Sequence, residues 1–376
     1  PFYSRYGSLA KMMEFVVRGT RLNRRMHNKA WIADNRIAIV GGRNVGDEYF
    51  GASDQSNFSD TDVVLAGPVV EDVSREFDAY WNSPYAVPVS RFETREPKPE
   101  ELEQLRRASR EFTKEAGETP YIAALRDPGR RAELLAAAPP LIEVHDIRVL
   151  ADDPSKIGSD EVGLAASKVL QGLAEVIQQS GRQVLIVSPY FVPGKQGAED
   201  LERGARRGID VEVLTNSLAA TDVAAVHVGY ARYRKELLKS GVQIYEMKRI
   251  TADSQEAKHL SLLGSTSATL HTKALVVDDR WSFVGSMNLD PRSANLNTEM
   301  GVLVDSPELA RQLSEQFREN TASELSYHVV FDPERGLVWH DQVNGQDREL
   351  EHEPDTSIGR RMTVTLLRLL PMESQL

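Results

Sequence analysis

Cysteine is absent from this chain of 376 residues. Its absence excludes a disulfide framework, a thiol nucleophile and any cysteine-ligated zinc or iron–sulfur site, and leaves the redox compartment undecided. No apolar run approaches the roughly 18 residues of a membrane-spanning helix, and no secretory pattern opens the sequence. An excess of basic charge is missing too. The 45 Lys and Arg against 56 Asp and Glu give a net charge of −11, which disfavours a bulk electrostatic grip on nucleic acid while allowing a local basic patch. What is present is ordinary for a soluble globular protein, with 41% hydrophobic and 27% charged residues. The length suits two or three domains, or one large α/β unit. The first residue is Pro1 rather than Met, so the expectation is that the natural N-terminus lies upstream.

The pattern along the chain predicts an α/β fold. Residues 30–40 read as strand, a two-residue turn at Asn35-Arg36 and strand; 61–66 read as strand and 69–81 as helix. Residues 91–140 are rich in charge, alanine and proline and read as a connection carrying short helices. Strand and helix then alternate: strands at 141–149, 183–188, 210–215, 242–246, 274–278, 281–284 and 300–304, and helices at 162–180, 197–207, 222–240 and 307–319. This predicts mixed, largely parallel sheets. The expected organisation is a partial first lobe at 1–90, the connection at 91–140, a second lobe at 141–330 and an extension at 331–376. The extension holds an apolar, Arg-bearing stretch at 358–370, read as a short amphipathic helix that either packs on the domain or lies at a membrane surface.

An internal repeat carries the chemistry. His27-Asn28-Lys29 is followed by Asp34, and His271-Thr272-Lys273 by Asp278, so H-x-K-x-x-x-x-D occurs twice. Asn44 and Asn288 each lie 17 residues after their histidine. Gly41-Gly42 matches Gly285-Ser286; Asp60 and Glu299 each precede a strand, and Pro68 and Pro307 each lead into a helix. A single H-x-K would be an unremarkable strand position, but the coupled repeat marks a duplicated unit.

Residues i and i+2 on a strand share a face. Two copies related by a pseudo-twofold axis would gather two imidazoles and two ammonium groups, a pocket suited to a phosphodiester. Lys29, Lys273, Asn44 and Asn288 can hold non-bridging oxygens. One imidazole can attack phosphorus while the other protonates the leaving alkoxide and later deprotonates the acceptor. Asp60 and Glu299 are placed to orient an imidazole through its second nitrogen. Asp34 and Asp278, beside the turns, read as structural. A metal site is the competing reading of paired His and acids, and the coupled lysines oppose it by repelling a cation; no metal or cofactor is called for.

The strings HNKAWIAD…GGRN and HTKALVVD…GSMN resemble the two motifs of the phospholipase D superfamily. RLNRRMHNK, VGGRNVGDEYF, FSDTDVVLAGPVVEDV, SPYFVPG, NSLAATDVAAVHVGYARYR and LLRLLPMESQL resemble the bacterial cardiolipin synthases, most of all their C-type branch. The resemblance implies a phospholipase D-like fold of two pseudo-symmetric lobes with the site between them. It also implies a metal-independent, two-step transfer through phosphohistidine; spacing does not show which histidine is the nucleophile, and the resemblance favours His27, with His271 as general acid/base. The implied substrates are phosphatidylglycerol and phosphatidylethanolamine, giving cardiolipin at the bacterial inner membrane, with no nucleic acid expected and an accessory protein left open. The second copy has about 125 residues of strands and helices before its histidine and the first only 26, so the first lobe is expected to be incomplete and to expose apolar sheet surface.

Secondary candidates are weaker. Arg21, Arg24 and Arg25 could meet anionic headgroups or form a solvated loop. Tyr190, Phe191 and Pro193, and Asn216 with Ser217, follow strand ends, where α/β sites lie. His227, beside Tyr230 and Tyr233, reads as structural; His145, His259, His328, His340 and His352 have no partner pattern. Three alternatives stay open: a phospholipase D-type hydrolase, a nuclease-type phosphodiesterase disfavoured by the acidic charge, and a non-catalytic lipid-binding module.

Overall fold

The structure, a computed structural model, describes residues 23–53, 57–91, 96, 98–136, 140–159, 161–249, 268–343 and 345–367. Arg21, His259 and the end of the expected C-terminal helix lie outside these residues. The first lobe contains β1 (Ala30–Ala33), β2 (Ile37–Gly41), β3 (Asn57–Ser59), β4 (Asp62–Ala66) and α1 (Val69–Trp81). Helices α2 (Pro99–Gly117), α3 (Pro120–Arg126) and α4 (Pro128–Ala136) form the connection, and α2 buries no residue. The second lobe runs β5 (Asp146–Ala151), α5 (Lys168–Gln178), β6 (Gln183–Val187), α6 (Gly194–Arg206), β7 (Asp210–Asn216), α7 (Ala224–Lys239), β8 (Gln243–Met247) and β9 (Ala268–Leu270). It continues with β10 (Ala274–Val277), β11 (Trp281–Gly285), α8 (Pro291–Asn295), β12 (Met300–Asp305) and α9 (Pro307–Thr321). Strands β13 (Ser326–Asp332), β14 (Gly336–Val343) and β15 (Gln346–Leu350) and helix α10 (Ile358–Leu367) complete the described chain.

The duplication is visible as hairpin, strand and helix. β1-β2-β4 with α1 repeats as β10-β11-β12 with α9. Both hairpins turn on two left-handed residues, Asp34 and Asn35 (φ 52° each) and Asp278 and Asp279 (φ 56° and 52°). This is the primed turn whose twist matches a hairpin, and Asp and Asn tolerate it best after glycine. The turn therefore sits one residue before the expected Asn35-Arg36. The Asp278 carboxylate also accepts N–H bonds from Gly181, Arg182 and Gln183 at 2.8, 2.8 and 2.9 Å, tying the hairpin to the start of β6.

The large sheet has ten strands in the order β15-β14-β13-β8-β7-β6-β10-β11-β12-β5. Parallel pairing within it is confined to β6–β7 and β7–β8, less than the alternation suggested. The hairpin unit and the β13–β15 meander enter it antiparallel. Along β6, Val184 and Ile186 pack under α5, α6 and α7, while Leu185 faces α9 on the other side. Burial on both faces explains why these strands read as continuous apolar runs. The first lobe packs on the second through Ala38, Val40, Val70 and Val73 against Val302 and Val304. β1 lies at one edge of its sheet, with Trp31 59% exposed, and β4 at the other, with Val64 58% exposed, whereas β10, the counterpart of β1, is buried throughout.

The C-terminal segment is held by buried charge. Arg234 on α7 donates to Glu246 on β8 (2.6 Å) and to Glu353 (2.7 Å), between the rings of Tyr230 and Trp339 at 5.2 and 4.9 Å. Tyr230 and Trp339 donate to the same Glu246, and His227 bonds Glu353 at 3.1 Å, a structural position. Beyond this cluster α10 packs Val364 against Leu218 and Val228, and Arg360 reaches the Thr221 carbonyl at 2.7 Å. Arg234→Met should cost about 3–5 kcal/mol, because it strands two buried carboxylates. Equilibrium urea denaturation at pH 7 checks this; a loss under about 1 kcal/mol, the level of a surface pair, would contradict it.

Candidate active site

Two short parallel pairings build the site. Met26 bridges Thr298, and β3 pairs with β9 so that Ser59 lies opposite Leu270. The His27 amide donates to the Thr298 carbonyl at 2.9 Å, and the His271 amide to Ser59 at 2.8 Å. Each motif thus enters beside the segment that leads to the other lobe's acid. His27 Nδ1 lies 2.8 Å from Glu299 Oε2, and His271 Nδ1 lies 2.6 Å from Asp60 Oδ2. Sequence spacing assigned both acids to orienting an imidazole; the crosswise pairing emerges only in three dimensions. With Nδ1 engaged, each ring keeps Nε2 free for chemistry.

The lysines share the faces of their histidines. Lys29 Nζ donates to the His27 carbonyl at 2.7 Å and Lys273 Nζ to the His271 carbonyl at 2.5 Å. Burial lowers Lys29 to about 8 and Lys273 to about 7. Burial also raises Asp60 to about 6. Burial, then Lys273, Lys29 and His27, hold His271 down at about 2. Glu299 is different: burial opposes its charge, yet the His27 contact and Ser286 keep it below the usual carboxylate range. One ring thus faces a firmly ionised acid, and the other is kept neutral by burial and then by its cationic neighbours.

The flanking residues are unequal. At Gly42 a Cβ would lie 2.5 Å from Asp60 Oδ1, which demands glycine, whereas Ser286 in the matching place donates to Glu299 at 2.6 Å. Asn44 donates to the Tyr49 hydroxyl at 2.6 Å. The Tyr49 and Phe58 rings pack 5.1 and 5.0 Å from the His271 ring. Arg43 fixes this loop by donating to Asp62 (2.6 Å) and to the Asp60 carbonyl (3.1 Å). Asn288 is buried, and its Oδ1 has no protein partner.

The outer candidates divide. Tyr190 donates its hydroxyl to Asp222 at 2.9 Å. Phe191, its neighbour, is fully buried against the Tyr230 ring (6.1 Å), so the expected substrate contact there is corrected to a core position. Asn216 donates to the Leu270 carbonyl at 3.0 Å and steadies the segment entering His271. Arg24 reaches the Ile157 carbonyl, and Arg25 the Arg24 carbonyl, so both have bonds within the protein. The expectation missed a buried ion pair behind Glu299. Asp152 accepts from Lys156 Nζ (2.6 Å), Ser167 Oγ (2.8 Å) and the Glu299 amide (3.1 Å), and Lys156 also bonds the Ser293 carbonyl at 2.9 Å. The sequence ADDPSK reads only as a turn, and among the described residues the first copy shows no matching pair.

Crosswise coupling makes a specific expectation. Asp60→Asn should perturb the ¹⁵N resonances of the His271 ring and leave those of His27 nearly unchanged, and Glu299→Gln should do the reverse. Histidine-labelled NMR reads both; perturbation confined to the histidine of the same repeat would contradict the geometry.

Comparison with known proteins gives the family. Residues 173–321 match the family described as "Cardiolipin synthase, PLD-like domain". The chain is 36% identical over 366 residues to cardiolipin synthase C of Escherichia coli K12, covering 97% of this chain and 76% of that protein. It is 25% identical over 313 residues to a cardiolipin synthase 1 of Staphylococcus epidermidis, covering 83% of this chain and 50% of that protein. The crystal structure of a phosphatidylserine synthase from Haemophilus influenzae Rd KW20 shares the fold, with a TM-score of 0.54 at 13% identity, over 95% of this chain and 72% of that one. With its two H-x-K motifs joined across one interface, the chain belongs to the phospholipase D-like cardiolipin synthase family.

Proposed function

We propose that this protein transfers a phosphatidyl group between phospholipids, forming cardiolipin from phosphatidylglycerol and a second phospholipid such as phosphatidylethanolamine at the surface of the bacterial inner membrane. The observation that carries the reading is the pair of imidazoles held crosswise by Asp60 and Glu299 with a lysine beside each. A phosphodiester anion between Lys29 and Lys273 would restore their full charge and have its oxygens held by them and by Asn44 and Asn288.

His27 is the proposed nucleophile. It is the more exposed ring, with 26% of its side chain accessible against 11% for His271. Ionised Glu299 on its Nδ1 stabilises the positive ring of a phosphohistidine. Nε2 attacks phosphorus, the P–O bond to the first headgroup alcohol breaks, and His271 gives that alkoxide a proton. The acceptor lipid's hydroxyl then returns a proton to His271 as its oxygen attacks phosphorus and the P–N bond breaks. Burial, then the neighbouring lysines, hold His271 near 2, so the substrate anion has a second task. By offsetting the lysines it lets His271 carry the proton that the leaving group needs.

In bacteria that lack cardiolipin, expression should produce cardiolipin detectable by mass spectrometry, and His27→Ala or His271→Ala should reduce it by at least ~10²–10⁴-fold. Phosphatidic acid without cardiolipin would move the assignment to a hydrolase. Rapid quenching with substrate should place the phosphatidyl adduct on the peptide containing His27; an adduct on the His271 peptide would reverse the two roles. Binding of inorganic phosphate should also raise the pH at which His271 titrates by NMR, and an unchanged titration would contradict the proposed proton loading.

A further inference from the structure

Helices α5 and α6 do not close over β6. Between them lies a cavity of about 380 Å³ at the end nearer the active site. A second, of about 300 Å³, lies toward the start of the strand. Both are lined by Ile177, Gln178, Asp200 and Leu201, so they form one groove. Its floor follows β6, with Val184 in the lower part and Ile186 and then Val192 in the upper. The upper part falls within the roughly 300–1,000 Å³ range of small-molecule sites, and the lower part sits at its lower bound.

Two features specify the occupant. Four of the upper cavity's polar side chains bond within the protein, and a fifth, Lys195, keeps 88% of its side chain in solvent. Asp290 accepts the Ser293 amide (2.6 Å), Asn295 accepts the Gly163 amide (2.6 Å) and donates to the Pro291 carbonyl (2.8 Å), and Gln196 donates to Asp200 (3.1 Å). A polar guest would lose hydrogen bonds to water and find few in return, whereas a hydrocarbon loses none. The upper end is walled by Met287 and Leu289, the residues on either side of Asn288. Asn288 itself does not line the groove, and it belongs to the repeated constellation around the two histidines. The C-terminal end of β6 and the start of β10, which follows Lys273, lie at the same edge of the sheet, with Val187 opposite Ala274. The groove therefore begins where the catalytic constellation ends.

We propose that the groove between α5 and α6 holds one acyl chain of the phospholipid while its phosphate lies between the two H-x-K motifs. This rests on the phosphatidyl-transfer reading and adds to it the part of the protein that grips the tail. The groove is a route out of the bilayer for one chain, and its apolar length sets how much chain contributes to binding.

The probes are monomeric n-alkyl phosphates of increasing chain length, measured by calorimetry against the folded protein. Affinity should rise about fourfold per added methylene until the groove is filled. Ala174→Phe, projecting from the α5 wall, should flatten that rise while preserving the circular dichroism spectrum and binding of inorganic phosphate. Gln178→Phe, at the seam between the two cavities, serves if Ala174→Phe does not fold, and should flatten the rise only for the longer chains. An equal slope in the wild type and the folded variants overturns the proposal. So does an n-alcohol that binds as tightly as the phosphate of the same length, because the tail site would then be uncoupled from the phosphate site. Transfer assays with short-chain monomeric phosphatidylglycerol separate the two readings. Transfer with a chain-length dependence untouched by the variants removes the groove and keeps the reaction. Slope-dependent alkyl phosphate binding without any transfer keeps the groove and removes the reaction.

Discussion

The crosswise bond between each imidazole and the opposite lobe's carboxylate is the constraint on which the site depends. A carboxylate on Nδ1 fixes ring orientation and tautomer, leaving Nε2 as the working atom. Because Glu299 serves His27 and Asp60 serves His271, neither lobe holds a complete acid–imidazole pair. The surrounding structure follows from that requirement. The parallel pairings at Met26–Thr298 and Ser59–Leu270 bring the crossing segments together, the shared apolar core sets the lobes face to face, and the Asp152–Lys156 pair secures the Glu299 backbone from behind.

The second theme is charge confined where water is scarce. Lys273 and Glu299 are buried, as is Asp60 in large part; burial lowers Lys273 and raises Asp60, each toward its neutral form, while at Glu299 the contacts with His27 and Ser286 outweigh burial and keep it ionised. Such a cluster is costly without the anion it was shaped for. In the proposed reaction a phosphodiester would supply negative charge between the two lysines and ease protonation of His271, so that binding and proton placement would be one electrostatic event.

Much of this was legible in the sequence, because duplication writes the same spacing twice. The repeat located both H-x-K pairs, both asparagines and both acids, and apolar periodicity located α1 at Val69–Trp81 to the residue. Local rules failed where partners come from far away. The hairpin turn fell at Asp34-Asn35 instead of one residue later, because two adjacent Asp or Asn residues can both take the left-handed conformation. Phe191 looked like part of a strand-end loop, yet contact with Tyr230 draws it into the core. Asp152 and Lys156 carried no signal at all, since their importance arises from a backbone amide 147 positions away from Asp152 in sequence.

The two halves of the site are related but not equivalent. Tyr49 and Phe58 wall His271, Gly42 stands where the other copy has Ser286, and the loop that leads to Asp60 is longer than the one that leads to Glu299. A site with true twofold symmetry would receive a phosphodiester in either of two opposite orientations and treat its two ester oxygens alike. Here the shielded ring and the open ring break that degeneracy, so the two ends of a bound phosphodiester would meet different surroundings.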